Sequence, residues 1–288
     1  MSRIIDYPKT QLLNSTGETF LVDHSTSGTR GITAGYLSQN LQETTSRNFK
    51  NYRNSFYRAM DLGTEFTSEQ NAAISGSSPN FANMYVGAYW TINGHRYRIA
   101  HFDYWYNKYD KLDGTSSTND HHIMLMYEPS GSYKMNETAS TDGGYYNSYM
   151  HTVVLNEMLE IIRADWGDHL LTHRCPLVNS VVDGTPSTYA WVDTIVEIPN
   201  EMMVYGTFMH GGSRPNASII NANGVTVDNK AAAYFSLGYN TFSTRIGMWL
   251  RDVVSPTEYA YALSYGVATS GLANAEHPIR PMFGVKAV

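Results

Sequence analysis

Aromatic and polar residues alternate in the segment MYVGAYWTINGHRYRIAHFDYWYN, and this alternation predicts two β-strands. The strands flank Asn93-Gly94, two residue types that readily adopt the positive φ angles of a two-residue hairpin turn. After a polar loop, the apolar run in HHIMLMYEP predicts a third strand. The pattern therefore indicates a mainly antiparallel sheet that begins near Phe81.

One long amphipathic helix is predicted in STDGGYYNSYMHTVVLNEMLEIIRADWG. At 3.6 residues per turn its apolar side chains share one face: Met150, Val154, Met158 and Ile161 or Ile162. Gly167 supplies the stop, and we expect the apolar face to cover the sheet. The fold class is therefore α+β, and the short apolar runs that follow the helix predict a domain in which loops outweigh regular structure.

Residues 1–45 predict a small β-rich unit. The strand-like segment ETFLVDH is followed by the glycine-containing turn STSGTRG and by ITAGYLSQNLQ, a strand end that runs into a short helix. So few residues make a weak core on their own. We therefore expect this unit to dock on another protein or to trimerise.

Residues 46–80 are polar and predict a linker that leads into the main domain, residues 81–288. Within the linker, Thr67 and Gln70 match a capping box. They predict a short helix from Ser68 to Ile74, before a Gly-Ser stop.

Composition narrows the function classes. Charged residues make up 16% of the 288 positions and aromatic residues 13%, with 22 tyrosines, so the surface suits contact with sugars or proteins. The formal charge of −6 and the lack of a long basic cluster argue against nucleic acid as a partner. No segment has the apolar core of a signal peptide or the roughly 18 apolar residues of a membrane helix. We therefore expect a soluble product made in the cytoplasm, without membrane insertion.

The chemical motifs are weak, and we expect no catalytic residue, metal or cofactor. His121 and His122 are neighbours in a strand and point to opposite faces, which argues against one ion that both of them bind. A polar loop carries three aspartates that could offer oxygen ligands to calcium: Asp110, Asp113 and Asp120. Their spacing differs from that of an EF-hand, so a solvated loop is the favoured interpretation. Glu157 and Glu160 stand three residues apart on one helix, which is a poor arrangement for a glycosidase pair. The single Cys175 excludes an intramolecular disulfide.

Six motifs, in order, resemble a family of phage and prophage virion proteins from Gram-positive hosts: GAYWTINGHRYRIAHFDYWYN, MNETASTDGGYYNSYM, NEMMVYG, MWLRDVVS, EYAYALSYG and IRPMFGV. Members end in a domain similar to the C-type-lectin-like fold of formylglycine-generating enzymes and of variable phage receptor-binding proteins. The resemblance covers residues 60–288 and implies that fold here. The segment GETFLVDHSTSGTRGITAGYL is similar to segments that attach phage fibre, decoration and tail-appendage proteins to the particle.

The chain departs from the chemistry of that fold in two places. Calcium-dependent lectins recognise sugars with Glu-Pro-Asn or Gln-Pro-Asp plus Trp-Asn-Asp, whereas the nearest strings here are EIPN from Glu197 and EPS from Glu128. Formylglycine-generating enzymes use a cysteine pair, and this chain has one cysteine. The resemblance therefore implies a shared fold without either chemistry.

Two sets of residues in the C-terminal part are singled out. The first is interpreted as structural core, because aromatic residues flank its charges, with anion binding by the arginines as the alternative: Trp249, Arg251, Asp252, Arg280 and Phe283. The second is a candidate ligand-binding loop in which aromatic rings stack on sugars and polar groups bond hydroxyls: Tyr259, Tyr261, Ser264, Tyr265, Thr269, Asn274 and Glu276. Tyr189 and Trp191 form a second candidate of the same type. An ordinary surface loop, or one buried against a neighbouring subunit, is an equally open interpretation.

The resulting expectation is a non-enzymatic virion protein, made in the host cytoplasm without a signal peptide and carried on the head or tail of a bacteriophage. Its N-terminal unit would attach to other virion proteins. Its C-terminal domain would bind a bacterial surface glycan or protein, or environmental glycans, weakly and through many copies. A homo-oligomer, with a trimer favoured, is expected. The alternative is a decoration protein that stabilises capsid or tail neighbours and binds no ligand. A glycan-cleaving enzyme is a third, less favoured hypothesis.

Overall fold

A computed structural model describes residues 53–106, 120–207, 209, 230–237 and 247–288, together with four short strands outside these ranges. The chain divides into two compact units, Met1–Tyr52 and Arg53–Val288. In the smaller unit, β1 (Thr19–Val22) pairs antiparallel with β2 (Arg30–Thr33). The turn between them and the predicted helix after ITAGYL lie outside the described residues.

The larger unit is built on an antiparallel sheet. Its strands are β3 (Tyr89–Ile92), β4 (His95–Phe102), β7 (His122–Tyr127), β11 (Val196–Glu197) and β15 (Met282–Lys286), in the order β11-β15-β7-β4-β3. A two-residue strand, β8 (Leu170–Leu171), also pairs with β15. The body is therefore mixed α+β and rich in sheet, as predicted. Between β4 and β7, β5 (Tyr109–Asp110) pairs with β6 (Thr115–Ser116), and Asp113 lies outside the described residues.

The hairpin predicted from Asn93-Gly94 is confirmed. Ile92 pairs with His95 across a turn in which Asn93 has φ 51° and Gly94 has φ 84°. Both angles lie in the left-handed region, where asparagine and glycine are tolerated best. The turn chemistry thus fixes the register of β3 against β4.

Residues from Arg53 onward belong to the larger unit. The sequence instead predicted a linker over residues 46–80. The segment before helix α1 (Ser68–Ile74) lies alongside the edge strand β3 and bonds to it. Tyr89 N donates to Met60 O at 2.9 Å, and Leu62 N donates to Tyr89 O at 2.8 Å. The capping box of α1 is confirmed: Gln70 N donates to Thr67 Oγ1 at 3.2 Å and Thr67 N to Gln70 Oε1 at 3.0 Å.

The predicted long helix is present and has an irregular start. A π turn over Met150–Val154 runs into α2 (Leu155–Trp166), and Leu155 N donates to Met150 O, five residues back. Gly167, with φ 50°, ends the helix as predicted. Four predicted core residues are buried: Met150, Val154, Met158 and Ile162. Trp166 packs edge-on against Trp90 at 5.5 Å between ring centroids, and so fastens the helix to the sheet.

The region after the helix contains more regular structure than the loops that were expected. β9 (His173–Val182) and β10 (Thr185–Thr194) form a hairpin with strands of ten residues each. It turns at Asp183-Gly184, where φ is 49° and 75°. A second sheet contains β12 (Met248–Val253), β13 (Glu258–Ala262) and β14 (Ala268–Leu272). Two short helices, α3 (Glu201–Tyr205) and α4 (Ala233–Leu237), complete the described elements.

Candidate ligand-binding cleft

The predicted ligand-binding loop is largely a β-hairpin, made by β13 and β14. Tyr259 is fully buried and therefore cannot contact an external ligand, which corrects its assignment. Tyr261 is half-buried and stacks on His277 at 4.1 Å between ring centroids. The other members stay exposed or partly exposed on the hairpin and the segment after it: Ser264, Tyr265, Thr269, Asn274 and Glu276. The hairpin thus offers an exposed tip but a packed base.

Tyr189 and Trp191 lie on β10 and are both half-buried. Neither lines a described cavity, whereas their neighbours Val192, Asp193 and Thr194 do. The aromatic pair lies before these positions on β10 and does not form the wall of the cleft described below.

The residues interpreted as structural core are enclosed to different degrees. Trp249 and Phe283 are fully buried, and Trp249 Nε1 donates to Tyr133 O at 2.8 Å. Arg251 and Asp252 are buried side by side on β12. Arg280 is half-buried and donates from Nη1 to Ile279 O at 2.8 Å. Its carbonyl partner and its burial agree with a structural role.

A cleft of about 480 Å³ opens between the start of the long helix and β10–β11. This volume falls within the range of small-molecule sites, which is about 300–1,000 Å³. Tyr146, Leu155 and Leu159 give it an aromatic and aliphatic surface. The remaining wall is rich in neutral hydrogen-bonding side chains: Asn147, Thr152, Asn156, Thr172 and Thr194.

His151, which the π turn carries, forms part of the cleft wall and is held from both sides. Its Nδ1 lies 2.8 Å from Tyr146 O, and its Nε2 lies 3.3 Å from Glu197 Oε1. The 3.3 Å contact is an ion pair rather than an aligned hydrogen bond, since Oε1 has no hydrogen-bond partner by geometry. Tyr145 Oη donates to the other oxygen of Glu197 at 2.7 Å.

The charges of this pair follow from the contacts. Tyr146 O can only accept, and Glu197 accepts as a carboxylate, so each ring nitrogen of His151 carries a proton. Burial alone lowers the pKa of His151, but the bond and charge of Glu197 outweigh it and raise that pKa. Burial raises the pKa of Glu197, and His151, Arg251 and Tyr145 together bring it below its usual value. The result is a buried imidazolium–carboxylate pair.

This arrangement suits binding better than acid–base catalysis. Both ring nitrogens of His151 are engaged with protein atoms, so neither is available to take a proton from a ligand. At the rim, Arg174 holds Asp193 through two bonds of 2.6 and 2.8 Å. Arg163 pairs with Glu160 at 2.8 Å. The cleft therefore presents hydroxyl and amide groups with its charges balanced.

No protein-family model, curated protein or solved structure matches this chain. The resemblance to phage virion proteins therefore stays an expectation based on the motifs quoted above.

The described residues give no sign of a metal site or of a membrane span. Within them, no three His, Cys, Asp or Glu side chains gather as metal ligands. His121 pairs with Asp103 at 2.9 Å, whereas His122 Nδ1 lies 2.9 Å from Asp120 O, so the two imidazoles have separate partners. No helix in the same ranges is long and apolar enough to cross a membrane.

The cleft residues carry few signals in the sequence. Glu197 is the clearest, because it stands between Val196 and Ile198 in a short apolar run and a buried carboxylate needs a partner. Nothing in the helical pattern marks His151, since a regular helix places it next to the buried face. The π turn that places it in the cleft wall has no recognised sequence signature here.

Proposed function

We propose that the chain is a non-enzymatic bacteriophage virion protein that binds bacterial surface glycans through the cleft beside the π turn. The observation that carries the proposal is the cleft itself: an open space of about 480 Å³ in which apolar side chains, among them Tyr146, Leu155 and Leu159, lie beside neutral hydroxyl and amide groups. Sugars present many hydroxyl groups and an apolar ring face, and such a wall complements both. The virion assignment is supported by the ordered motifs of the sequence.

Balanced charges favour a neutral glycan over an ionic ligand. The described charged groups at the cleft form His151–Glu197, Arg174–Asp193 and Arg163–Glu160 pairs. A neutral ligand leaves each of these pairs intact, whereas an ionic ligand has to compete with one of them. An open cleft of this kind binds weakly, and many copies on one particle provide avidity because later contacts become intramolecular.

The C-type-lectin-like fold and the homo-oligomer belong to the same proposal. The α+β body with an antiparallel sheet is compatible with that fold. A trimer would place three clefts on one appendage, and the N-terminal unit would attach the assembly to the particle.

The direct test compares two tryptophan substitutions on neighbouring exposed positions of α2. Asn156→Trp fills the cleft, and Glu157→Trp is the matched control because Glu157 does not line it. On an array of bacterial surface glycans, we expect the wild type and the control to bind and Asn156→Trp to lose at least about tenfold in affinity, which corresponds to about 1.4 kcal/mol. Equal binding by both variants would remove the cleft from the proposal.

A decoration protein that binds no glycan is the second candidate. The observation that favours it is the exposed apolar tip of the β13–β14 hairpin, where Tyr265 is 71% exposed and Val267 50%. Exposed apolar side chains grouped together are typical of protein contacts. Cryo-electron microscopy of the particle separates the candidates, since a decoration protein buries this tip against neighbours and an adhesin leaves the cleft open to solvent.

A further inference from the structure

A second cleft, of about 410 Å³, lies at the C-terminal end of α1 and shares no residue with the first. Its walls include Ser75, Ser77, Tyr106, His121 and the ion pair of Asp120 with Lys286. Ser75 and Ser77 are exposed. Hydroxyl groups, an aromatic ring and an imidazole thus meet in one concave surface.

His121 has one engaged ring nitrogen and one without a partner. Nδ1 lies 2.9 Å from Asp103 Oδ2, and Asp103 Oδ1 in turn accepts from His122 N at 2.9 Å, which fixes the carboxylate. The bond to Asp103 places a proton on Nδ1. Nε2 is shielded from water and makes no hydrogen bond to any of the described residues. An unsatisfied buried nitrogen is unfavourable, and such a group in a folded protein needs an explanation.

The charges around His121 favour a neutral partner. Asp103 accepts the Nδ1 proton of His121 at 2.9 Å, and Asp120 pairs with Lys286 at 3.0 Å, so each carboxylate already has a partner. An anionic ligand would meet both carboxylates, and a cationic ligand would meet Lys286. A hydroxyl group carries no charge and can donate to an imidazole nitrogen.

Tyr106 adds a flat apolar surface. Its ring stacks on the His121 imidazole at 4.1 Å between centroids with an interplanar angle of 12°. A sugar ring combines hydroxyl donors with an apolar face, so it fits the serine hydroxyls, the imidazole and the aromatic ring together.

From these observations we infer that the second cleft binds a neutral sugar residue, with a sugar hydroxyl donating to His121 Nε2. Nε2 is shielded in the free chain, so the sugar reaches it only after side chains of the cleft rearrange. The inference extends the proposed glycan binding, but it rests on different residues. One chain would then hold a glycan at two points, which raises avidity without any oligomer.

The test uses the full chain, three neutral probes and nuclear magnetic resonance. The probes are methyl α-D-glucopyranoside, methyl α-D-galactopyranoside and N-acetylglucosamine. Binding of each probe is measured by the transfer of saturation from the protein to the probe. The Asn156→Trp variant closes the first cleft, so any remaining transfer reports another site. Adding Ser77→Trp closes the second cleft from an exposed position, and Ala72→Trp is the matched control, since Ala72 is exposed on α1 and does not line it.

We expect saturation transfer to at least one probe in Asn156→Trp and in Asn156→Trp with Ala72→Trp, and at least a fivefold loss when Ser77→Trp is added. The imidazole ¹⁵N resonance of His121 Nε2, assigned by its loss in His121→Gln, is expected to shift as that probe is added. The inference is overturned if Asn156→Trp shows no transfer to any probe, if Ser77→Trp changes nothing, or if the Nε2 resonance stays fixed. Binding that Asn156→Trp alone abolishes would overturn the second site and leave the proposed function standing.

Discussion

His151 contacts protein acceptors through both ring nitrogens, and this makes its protonation state a property of the fold. Its folded pKa is raised above the usual value, so its contribution to stability is complete below about pH 6.5 and is lost as the pH rises through the folded pKa. Glu197, with a lowered pKa, contributes above about pH 4.5 and loses its contribution in acid. The pair therefore stabilises the fold most between these two limits.

Replacing Glu197 with Gln tests this pair at the residue scale. The substitution keeps a partner for Tyr145 but removes the charge, so burial dominates and the pKa of His151 falls below 6.5. We expect a loss of about 3 kcal/mol in the free energy of unfolding at pH 6, as for other buried pairs that lose one partner. Titration of the imidazole proton resonances measures the pKa, and urea unfolding measures the stability. An unchanged pKa would show that Glu197 does not hold the His151 proton.

Asp252 makes the stability of the fold depend on pH, because its pKa differs between the folded and the unfolded chain. Burial and then the charge of Glu201 raise its pKa to about 7, while Glu201 N donates to Asp252 Oδ2 at 2.6 Å. Between pH 3.8 and 7 the folded chain binds more protons at this site than the unfolded chain, so stability falls as the pH rises through that window.

Asp252→Asn keeps the acceptor for Glu201 N and removes the titration. We expect this variant to lose that part of the pH dependence and to gain about 1–4 kcal/mol in the free energy of unfolding at pH 8. Urea unfolding of both proteins at pH 5, 6.5 and 8 provides the comparison. If the stability of the two proteins changed with pH in the same way, the pKa of Asp252 would not be raised in the folded chain.

At the scale of elements, two hairpins use the same turn chemistry in different surroundings. Asn93-Gly94 and Asp183-Gly184 both have positive φ angles at both positions. A Cβ on Gly94 would meet nothing within 4 Å, whereas one on Gly184 would lie 2.3 Å from Pro256 Cδ. The β9–β10 hairpin is thus packed at its tip, and the β3–β4 hairpin is open there.

This difference predicts unequal costs for the same substitution. Gly94→Ala should cost about 1 kcal/mol, because only the backbone conformation opposes it. Gly184→Ala should cost about 3 kcal/mol, because overpacking against Pro256 adds to that conformational cost. Denaturant unfolding of the two variants beside the wild type measures both values, and equal costs would mean that the tip contact with Pro256 is not maintained in solution.

Elements with local causes were predicted from the sequence, and elements held together at a distance were not. The capping pair Thr67–Gln70 and the turn at Asn93-Gly94 act over two to four residues, and both are present. Asp183-Gly184 carries the same turn signal, but the surrounding prolines and polar residues hid the long strands. Tyr259 was assigned to a ligand surface because its neighbours are polar, although the packing of β13 buries it.

At the scale of the whole molecule, the two units predict separable behaviour. The buried core of the described residues lies between Ala73 and Val285, and all five tryptophans follow Arg53, so tryptophan fluorescence reports the larger unit. We expect a chain that starts at Arg53 to unfold within about 2 °C of the full chain and to bind glycan equally well. Thermal unfolding followed by fluorescence measures this. A large drop in the midpoint would show that the first 52 residues support the larger unit.

The first cleft could not be predicted because it exists only in the assembled chain. His151 comes from the π turn, Glu197 from β11 and Tyr145 from the loop before the helix, and β11 reaches its place by pairing with β15 near the C-terminus. The body also includes residues 53–80, which meet β3 through backbone bonds and through the contacts of Phe66 and Gln70 with Trp90. The sequence therefore predicted a sheet and its covering helix but assigned the ligand surface elsewhere.

The π turn also bears on how this surface changes by mutation. It contains one residue more than a regular helical turn would, which rotates everything before it by roughly 100° relative to α2. Deleting a single codon between Met150 and Val154 would allow an uninterrupted α-helix and turn His151 away from Glu197. The fold would survive and the cleft would not, so insertions and deletions at this point alter binding more readily than they alter the scaffold.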